Sequence, residues 1–181
     1  MTKAPPYRIE ALNSGHNRAA FSCGVDPLDR YFQTQVTQDI RRRIANCFVA
    51  ISTETGDVAA YYTLASASIP TPDLPPEERK RLPRYPTMPA ARIGRLAVDM
   101  KHRNLGLGRI LIMDAAAKTL SAAPACYALL VDAKDNKAES FYQKHGFLNL
   151  AYMPRVLFLP LATAQKALLL GKDFRSTGTT K

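Results

Sequence analysis

Cysteine is scarce in this sequence. Cys23, Cys47 and Cys126 are the only three in 181 residues, widely spaced and outside any CxxC or Cys/His cluster. Neither a disulfide framework nor a metal site is therefore indicated, and a reducing compartment, the cytoplasm, is expected. Long apolar runs are also missing. Nowhere do about 18 apolar residues follow one another, and Met1 to Pro6 lead into no apolar h-region, so neither a membrane span nor a signal peptide is expected. No internal repeat is visible. The length suits one domain, able to bury roughly 70% of the surface its unfolded chain exposes.

Acidic residues are the other shortage. The formal net charge is +10, which favours an acidic partner such as a nucleic acid, an acidic protein or a phosphorylated cofactor. Between Arg79 and Arg103 stand Arg79, Lys80, Arg81, Arg84, Arg92, Arg95, Lys101 and Arg103 against a single acid, Asp99. Arg41-Arg42-Arg43 forms a second knot. Charge alone leaves open whether these serve a large polyanion or only a phosphorylated cofactor.

Periodicity supplies the elements. Tyr7 to Leu12 reads as a strand. Asp26 suits an N-cap and Pro27 a first helical position, and Leu28, Tyr31, Phe32, Gln35, Val36 and Ile40 recur at helical spacing, predicting one amphipathic helix that ends near Arg43. Ile44 to Ser52 and Val58 to Ala65 flank a Gly-containing loop and predict a β-hairpin. Seven prolines between Ile69 and Pro89 exclude a continuous helix or central strand there and predict a long loop over a site, with a helical turn or two at Pro76 to Arg81. Ile93 to Val98 reads as a strand, Ile110 to Leu120 as a helix and Ala125 to Ala133 as a strand buried on both faces. Asn136 to His145 reads as a helix with Gly146 as its C-cap. Phe147 to Leu150 is extended, Arg155 to Leu159 forms a final strand, and Leu161 to Leu170 is a closing helix before a frayed tail.

The stretch Arg103-Asn104-Leu105-Gly106-Leu107-Gly108 falls between a strand and a helix. Two glycines one residue apart let backbone approach an anion, and the free N–H groups of the following helix add about half a positive charge. A pyrophosphate cradle and a plain tight turn both fit a bare G-x-G.

The element order and three motifs resemble the GNAT superfamily of acyl-CoA-dependent N-acetyltransferases. Arg103-x-x-Gly106-x-Gly108 is similar to that family's pyrophosphate signature, and Arg95-Leu96-Ala97-Val98-Asp99 to its fourth strand. Ala138-Glu139-Ser140-Phe141-Tyr142-Gln143-Lys144-His145-Gly146-Phe147 is similar to its later A-x-x-x-Y-x-x-x-G-F segment. The resemblance implies an α/β GNAT fold over residues 1–165: a mixed central sheet of about six to seven strands flanked by helices, with strands four and five splayed. Residues 166–181 would be a helix end and flexible tail.

It also implies a site. Acetyl-CoA would lie where strands four and five diverge, along Leu96, Ala97 and Val98. The amides of Asn104, Leu105, Gly106, Leu107, Gly108 and Arg109, after Arg103, would hold its pyrophosphate, and Asn136 would be near the pantetheine arm. Tyr142 stands where the family places a tyrosine beside the thioester sulfur, and a phenol there can protonate the departing thiolate. The possible bases, His16, His102, His145, Glu77, Glu78 and Asp132, are scattered. An α-amine with a pKa near 7.7 to 8.0 needs no protein base, so their scatter leans toward an α-amine acceptor.

A closer resemblance runs over roughly residues 5–165. Cys23-Gly24, Leu28-Asp29-Arg30-Tyr31, Gln38-Asp39-Ile40-Arg41-Arg42-Arg43, Leu82-Pro83-Arg84-Tyr85-Pro86 and Leu157-Phe158-Leu159-Pro160-Leu161 are similar to the TacT type of toxin acetyltransferase. That resemblance implies acetylation of the α-amine on charged tRNA, a ribbon-helix-helix antitoxin and a toxin homodimer. Arg41, Arg42, Arg43, Lys80, Arg81, Arg84 and Arg92 would then face tRNA phosphates. Two rivals stand beside it: a protein N-terminal or lysine acetyltransferase, and a nucleic-acid-binding module of the same fold without catalysis.

Overall fold

A computed structural model describes residues 6–170. Seven strands hydrogen-bond in the order β1-β2-β3-β4-β5-β7-β6. They are β1 (Tyr7–Ala11), β2 (Asn46–Ser52), β3 (Val58–Pro70), β4 (Thr87–Val98), β5 (Ala128–Asp132), β6 (Leu148–Asn149) and β7 (Val156–Pro160). Six helices accompany them: α1 (Asp26–Thr34), α2 (Val36–Arg41), α3 (Pro76–Arg79), α4 (Leu107–Ser121), α5 (Asn136–Lys144) and α6 (Leu161–Leu170). β4 and β5 pair in parallel; β1–β2, β2–β3, β5–β7 and β6–β7 are antiparallel. The β4–β5 register ends at Ile93 opposite Val131, while β4 continues to Val98. The mixed sheet, with β4 outrunning β5, is the architecture the family resemblance implies.

Contacts group the chain into two compact units. The first holds residues 6–65 and 94–114. Its core is aromatic: Phe21, Tyr31, Phe32 and Tyr61 are buried with Val36, Val49 and Ile51. The Phe32 and Tyr61 rings stack at 4.3 Å, and the Tyr61 hydroxyl donates to the Leu28 carbonyl at 2.8 Å. That bond satisfies the one polar atom such a ring takes inside. The second unit holds residues 66–93 and 115–170, and its core is mostly aliphatic. Ile69, Leu74, Met88, Leu130 and Phe158 lie in it.

The helix expected from Asp26 to Arg43 is two. Thr34 Oγ1 bonds back to the Arg30 carbonyl at 2.7 Å, a contact that bends helices, and Gln35 falls out of helical register at φ −116°. Nor is Asp26 the N-cap: Val25 is, without a side-chain bond, and Asp26 is the first helical residue. Asp29 instead accepts the Cys23 amide at 2.8 Å and the Ser22 hydroxyl at 3.1 Å. Burial opposes the Asp29 charge, but these donors outweigh it and lower the carboxyl's pKa.

The proline stretch is shorter than a loop from 69 to 89, because Pro70 closes β3 and Pro89 is inside β4. Pro89 has no N–H to offer, and its carbonyl accepts the Tyr127 amide at 2.8 Å. Between them lie a 3₁₀ turn, Thr71–Asp73, and α3. The expected closing helix, Leu161 to Leu170, is α6. The expected tail lies outside the described residues.

Candidate functional site

In the first unit, β4 delivers the chain to the glycine turn through Asp99. This buried carboxylate accepts the amides of Ser22 and Lys101, each at 2.9 Å, and so caps the 3₁₀ turn Met100–His102. Asn104 (φ 61°) and Gly106 (φ 78°) then take left-handed conformations before α4 opens at Leu107. Asparagine tolerates that region and glycine has no Cβ to lose by it. A Cβ at Gly106 would meet nothing within 4 Å, so the residue serves conformation and leaves the space outside the turn open.

Leu107, 1% exposed, pins the helix start inward, while Asn104, Leu105 and Gly106 are exposed. The first N–H groups of a 15-residue helix have no intrahelical acceptor, so the turn presents several donors to one outside anion. Arg103, exposed, is anchored on one side. Its guanidinium donates to the Cys23 carbonyl, and Gly24, with φ 78°, lets it come close: a Cβ there would stand 3.2 Å from Arg103 Nη2. On β4 past Ile93, Ala97 is buried, and Leu96 and Val98 are half-buried. Arg95 lays its guanidinium 3.5 Å over the Tyr31 ring, whose hydroxyl donates to Asp39 at 2.8 Å. Arg41, Arg42 and Arg43 are exposed where α2 ends.

The second unit holds the Tyr142 group. Asp135 caps α5 by accepting the Ala138 amide at 2.8 Å, which makes Asn136 the first helical residue. Arg155, left-handed at φ 63°, grips this end: it donates to the Lys134 carbonyl at 3.2 Å and to Asn136 Oδ1 at 3.1 Å. The expected Asn136 is therefore held by its carbonyl. Its amide hydrogens remain to donate.

Tyr142, 9% exposed, sits edge-on to Phe141 and Phe147 at 5.2 and 5.4 Å, and its hydroxyl bonds to no described residue. Burial, then the charge of Asp132, push this phenol up to about 12. The Asp132 carboxylate is paired with Arg92, so Arg92 is committed to a partner on the neighbouring strand. Arg81 and Arg84 are exposed and form no ion pair among the described residues, whereas Lys80 is 3.0 Å from Glu77.

Each of the scattered possible bases already has a partner. His16 Nε2 is 2.6 Å from Glu10 and His102 Nδ1 is 3.0 Å from the Tyr7 hydroxyl. Glu78 accepts from Tyr127 at 2.8 Å, and the His145 ring packs on Phe141. Sequence reasoning missed Arg155 and the service Gly24 gives to Arg103. The Cys23-Gly24 pair was a visible signal for the second; nothing local marks the first. Among the described residues no cluster of three His, Cys, Asp or Glu could hold a metal ion, and no helix is long and apolar enough to cross a membrane.

Residues 45–148 match the family model described as an acetyltransferase (GNAT) domain. The chain is 29% identical over 172 residues to a probable toxin TacT of Sinorhizobium fredii, covering 90% of this chain and 95% of that protein. It is 33% identical over 138 residues to a tRNA-acetylating toxin of Mycobacterium tuberculosis, covering 75% of this chain and 81% of that one. Two solved structures share the fold closely. One is AtaT complexed with an acetyl-methionyl-tRNA, with a TM-score of 0.81 at 27% identity, covering 91% of this chain and 99% of that one. The other is a tyrosine-to-phenylalanine mutant of KacT, with a TM-score of 0.82 at 25% identity, covering 90% and 99%.

Proposed function

Because this chain belongs to the GNAT acetyltransferases, on the branch that includes the tRNA-acetylating toxins, we propose that it acetylates the α-amine of the amino acid on charged tRNA and so blocks translation. The observation that carries this reading is the 33% identity to a tRNA-acetylating toxin over three quarters of the chain. Acetyl-CoA, bound as cosubstrate, supplies an acetyl group activated as a thioester. The left-handed turn fits its pyrophosphate, since Asn104, Leu105 and Gly106 are exposed, the first amides of α4 have no intrahelical acceptor, and nothing lies within 4 Å of where a Cβ at Gly106 would stand. Leu96, Ala97 and Val98 offer main-chain groups beyond the end of the β4–β5 pairing. Asn136 would meet the pantetheine arm with its amide hydrogens.

In the transfer, the acceptor nitrogen bonds to the acetyl carbon, the carbon–sulfur bond breaks, and the amine releases a proton. Tyr142 is the acid in this reading. A phenol with a pKa of about 12 stays protonated at any physiological pH, so its hydroxyl is always available to donate to the sulfur as negative charge builds there. Complete transfer to a thiolate, whose pKa is near 8.5, is uphill, so the hydroxyl acts chiefly by its hydrogen bond and the amine's proton leaves through water. An α-amine suits this arrangement because it is already largely neutral near pH 8.

Arg41, Arg42, Arg43, Arg81 and Arg84 would bind tRNA phosphates, with Lys80 and Arg92 reduced in that role by their acidic partners. A ribbon-helix-helix antitoxin and a homodimer complete the proposal. A translation extract tests it: the protein should stop synthesis only when acetyl-CoA is present, and excess freshly charged tRNA should restore it. Inhibition without acetyl-CoA, or none at all, would reject the reading.

A further inference from the structure

Two tyrosines in the second unit are unusually bare. Tyr85 is 64% exposed and Tyr152 is 74% exposed. One exposed ring is ordinary; these two belong to segments tied to the same short turn. The Thr71 amide donates to the Pro86 carbonyl at 2.9 Å, and the Thr71 hydroxyl donates to the Tyr85 carbonyl at 2.6 Å. The Ala151 amide donates to the Asp73 carbonyl at 2.7 Å. The turn Thr71–Asp73 thus carries the Tyr85 strap on one side and the Tyr152 loop on the other.

Both segments are stiffened. Pro83 and Pro86 bracket Tyr85, whose amide closes a tight turn onto the Pro83 carbonyl at 2.8 Å. The Tyr152 loop is closed by Leu150 N–H to the Val156 carbonyl at 2.9 Å, and Arg155 fastens its far end to the start of α5. Among the described residues, neither ring packs on another aromatic ring and neither hydroxyl has a hydrogen-bond partner. Arg79, Arg81 and Arg84 are exposed cations without an ion pair among the described residues, Arg81 and Arg84 being those nearest Tyr85 in sequence, while Glu77 and Glu78 are engaged by Lys80 and Tyr127. Rigid bare rings among unpaired guanidinium groups suit unpaired bases, whose faces stack on aromatics while their phosphates meet arginine. Duplex RNA hides those faces.

We propose that Tyr85 and Tyr152 form a stacking platform for the unpaired nucleotides at the 3′ end of the RNA substrate, with Arg81 and Arg84 on the adjoining phosphates. This rests on the charged-tRNA reading and deepens it, because the unpaired end is the part that carries the aminoacyl ester. The chain contains no tryptophan, so Tyr85→Trp and Tyr152→Trp each introduce a single fluorescent reporter that can still stack. Uncharged tRNA should quench both reporters, and the same tRNA trimmed of its unpaired 3′ nucleotides should not. Tyr85→Ala and Tyr152→Ala should each raise KM for charged tRNA about tenfold, with the salt slope, melting temperature and coenzyme A affinity unchanged. Equal quenching by intact and trimmed tRNA overturns the platform. So does an unchanged KM in both alanine variants, or a loss of antitoxin neutralisation without any change in tRNA kinetics. Failure of the unsubstituted protein to acetylate tRNA would instead sink the parent reading.

Discussion

In the unit containing Arg103 to Gly108, what is offered to a ligand is main chain: exposed amides on a left-handed turn, with Arg103 anchored to the Cys23 carbonyl. In the unit containing Tyr142 it is side chain: a buried phenol, the asparagine held by Arg155, a bare ring with cations on a proline strap, and a second bare ring on the loop before β7. The difference follows from what each must recognise. A pyrophosphate is satisfied by N–H groups of any sequence that takes the right backbone path. An acceptor amine and a polyanion need particular atoms at particular places. Backbone sites advertise themselves through glycine, and side-chain sites depend on neighbours that spacing does not reveal.

The largest test of this contrast is at Tyr142. Tyr142→Phe keeps the ring contacts with Phe141 and Phe147 and removes only the hydroxyl. Acetyl transfer should fall by about a hundredfold or more while calorimetry shows unchanged acetyl-CoA affinity; a loss below tenfold would move the acid role elsewhere. With the phenol at about 12, activity should rise with pH as the acceptor amine deprotonates and show no fall through pH 9.5. A descending limb below that pH would belong to some other group. Next in size, Arg81→Ala with Arg84→Ala should weaken tRNA binding and reduce the salt slope by about one per arginine. An unchanged slope would remove them from the RNA surface.

At Gly106 the side chain is irrelevant and the conformation decisive. Gly106→Val should cost roughly 1 to 2 kcal/mol of backbone strain and raise KM for acetyl-CoA about tenfold, with Gly106→Asn milder. If Gly106→Val lowers melting temperature and spares KM, the turn is structural only. The smallest effect belongs to Arg92→Ala. Its ion pair with Asp132 joins side chains 36% and 51% exposed, so under about 1 kcal/mol is at stake, and thermal melting should shift by at most about 4 °C.

The legibility of the sequence divides along the same line. The strand, turn and helix around Arg103 to Gly108 could be read directly, because two glycines between apolar runs encode a backbone path. α6 was equally plain. The helix from Asp26 to Arg43 was misread as continuous because apolar periodicity passes straight through Gln35. The break lies in a Thr34 hydroxyl competing for a carbonyl, and no apolar pattern registers that. The toxin resemblance and the basic cluster together put Arg92 among the phosphate contacts, and neither shows that it has an acidic partner. Its pairing depends on the parallel β4–β5 register, which places it beside the strand that ends in Asp132, forty residues away. Arg155 acts across nineteen residues from a left-handed position that arginine rarely takes, so its hold on Asn136 has no local signature.

The central claim is that the acetyl group ends on an aminoacyl α-amine. Incubating the protein with labelled acetyl-CoA and total charged tRNA, digesting the RNA and identifying the labelled fragments reads that claim directly. The account predicts label on N-acetyl-aminoacyl-adenosine, lost with Tyr142→Phe. Label confined to protein, with the RNA fraction clean, would contradict it.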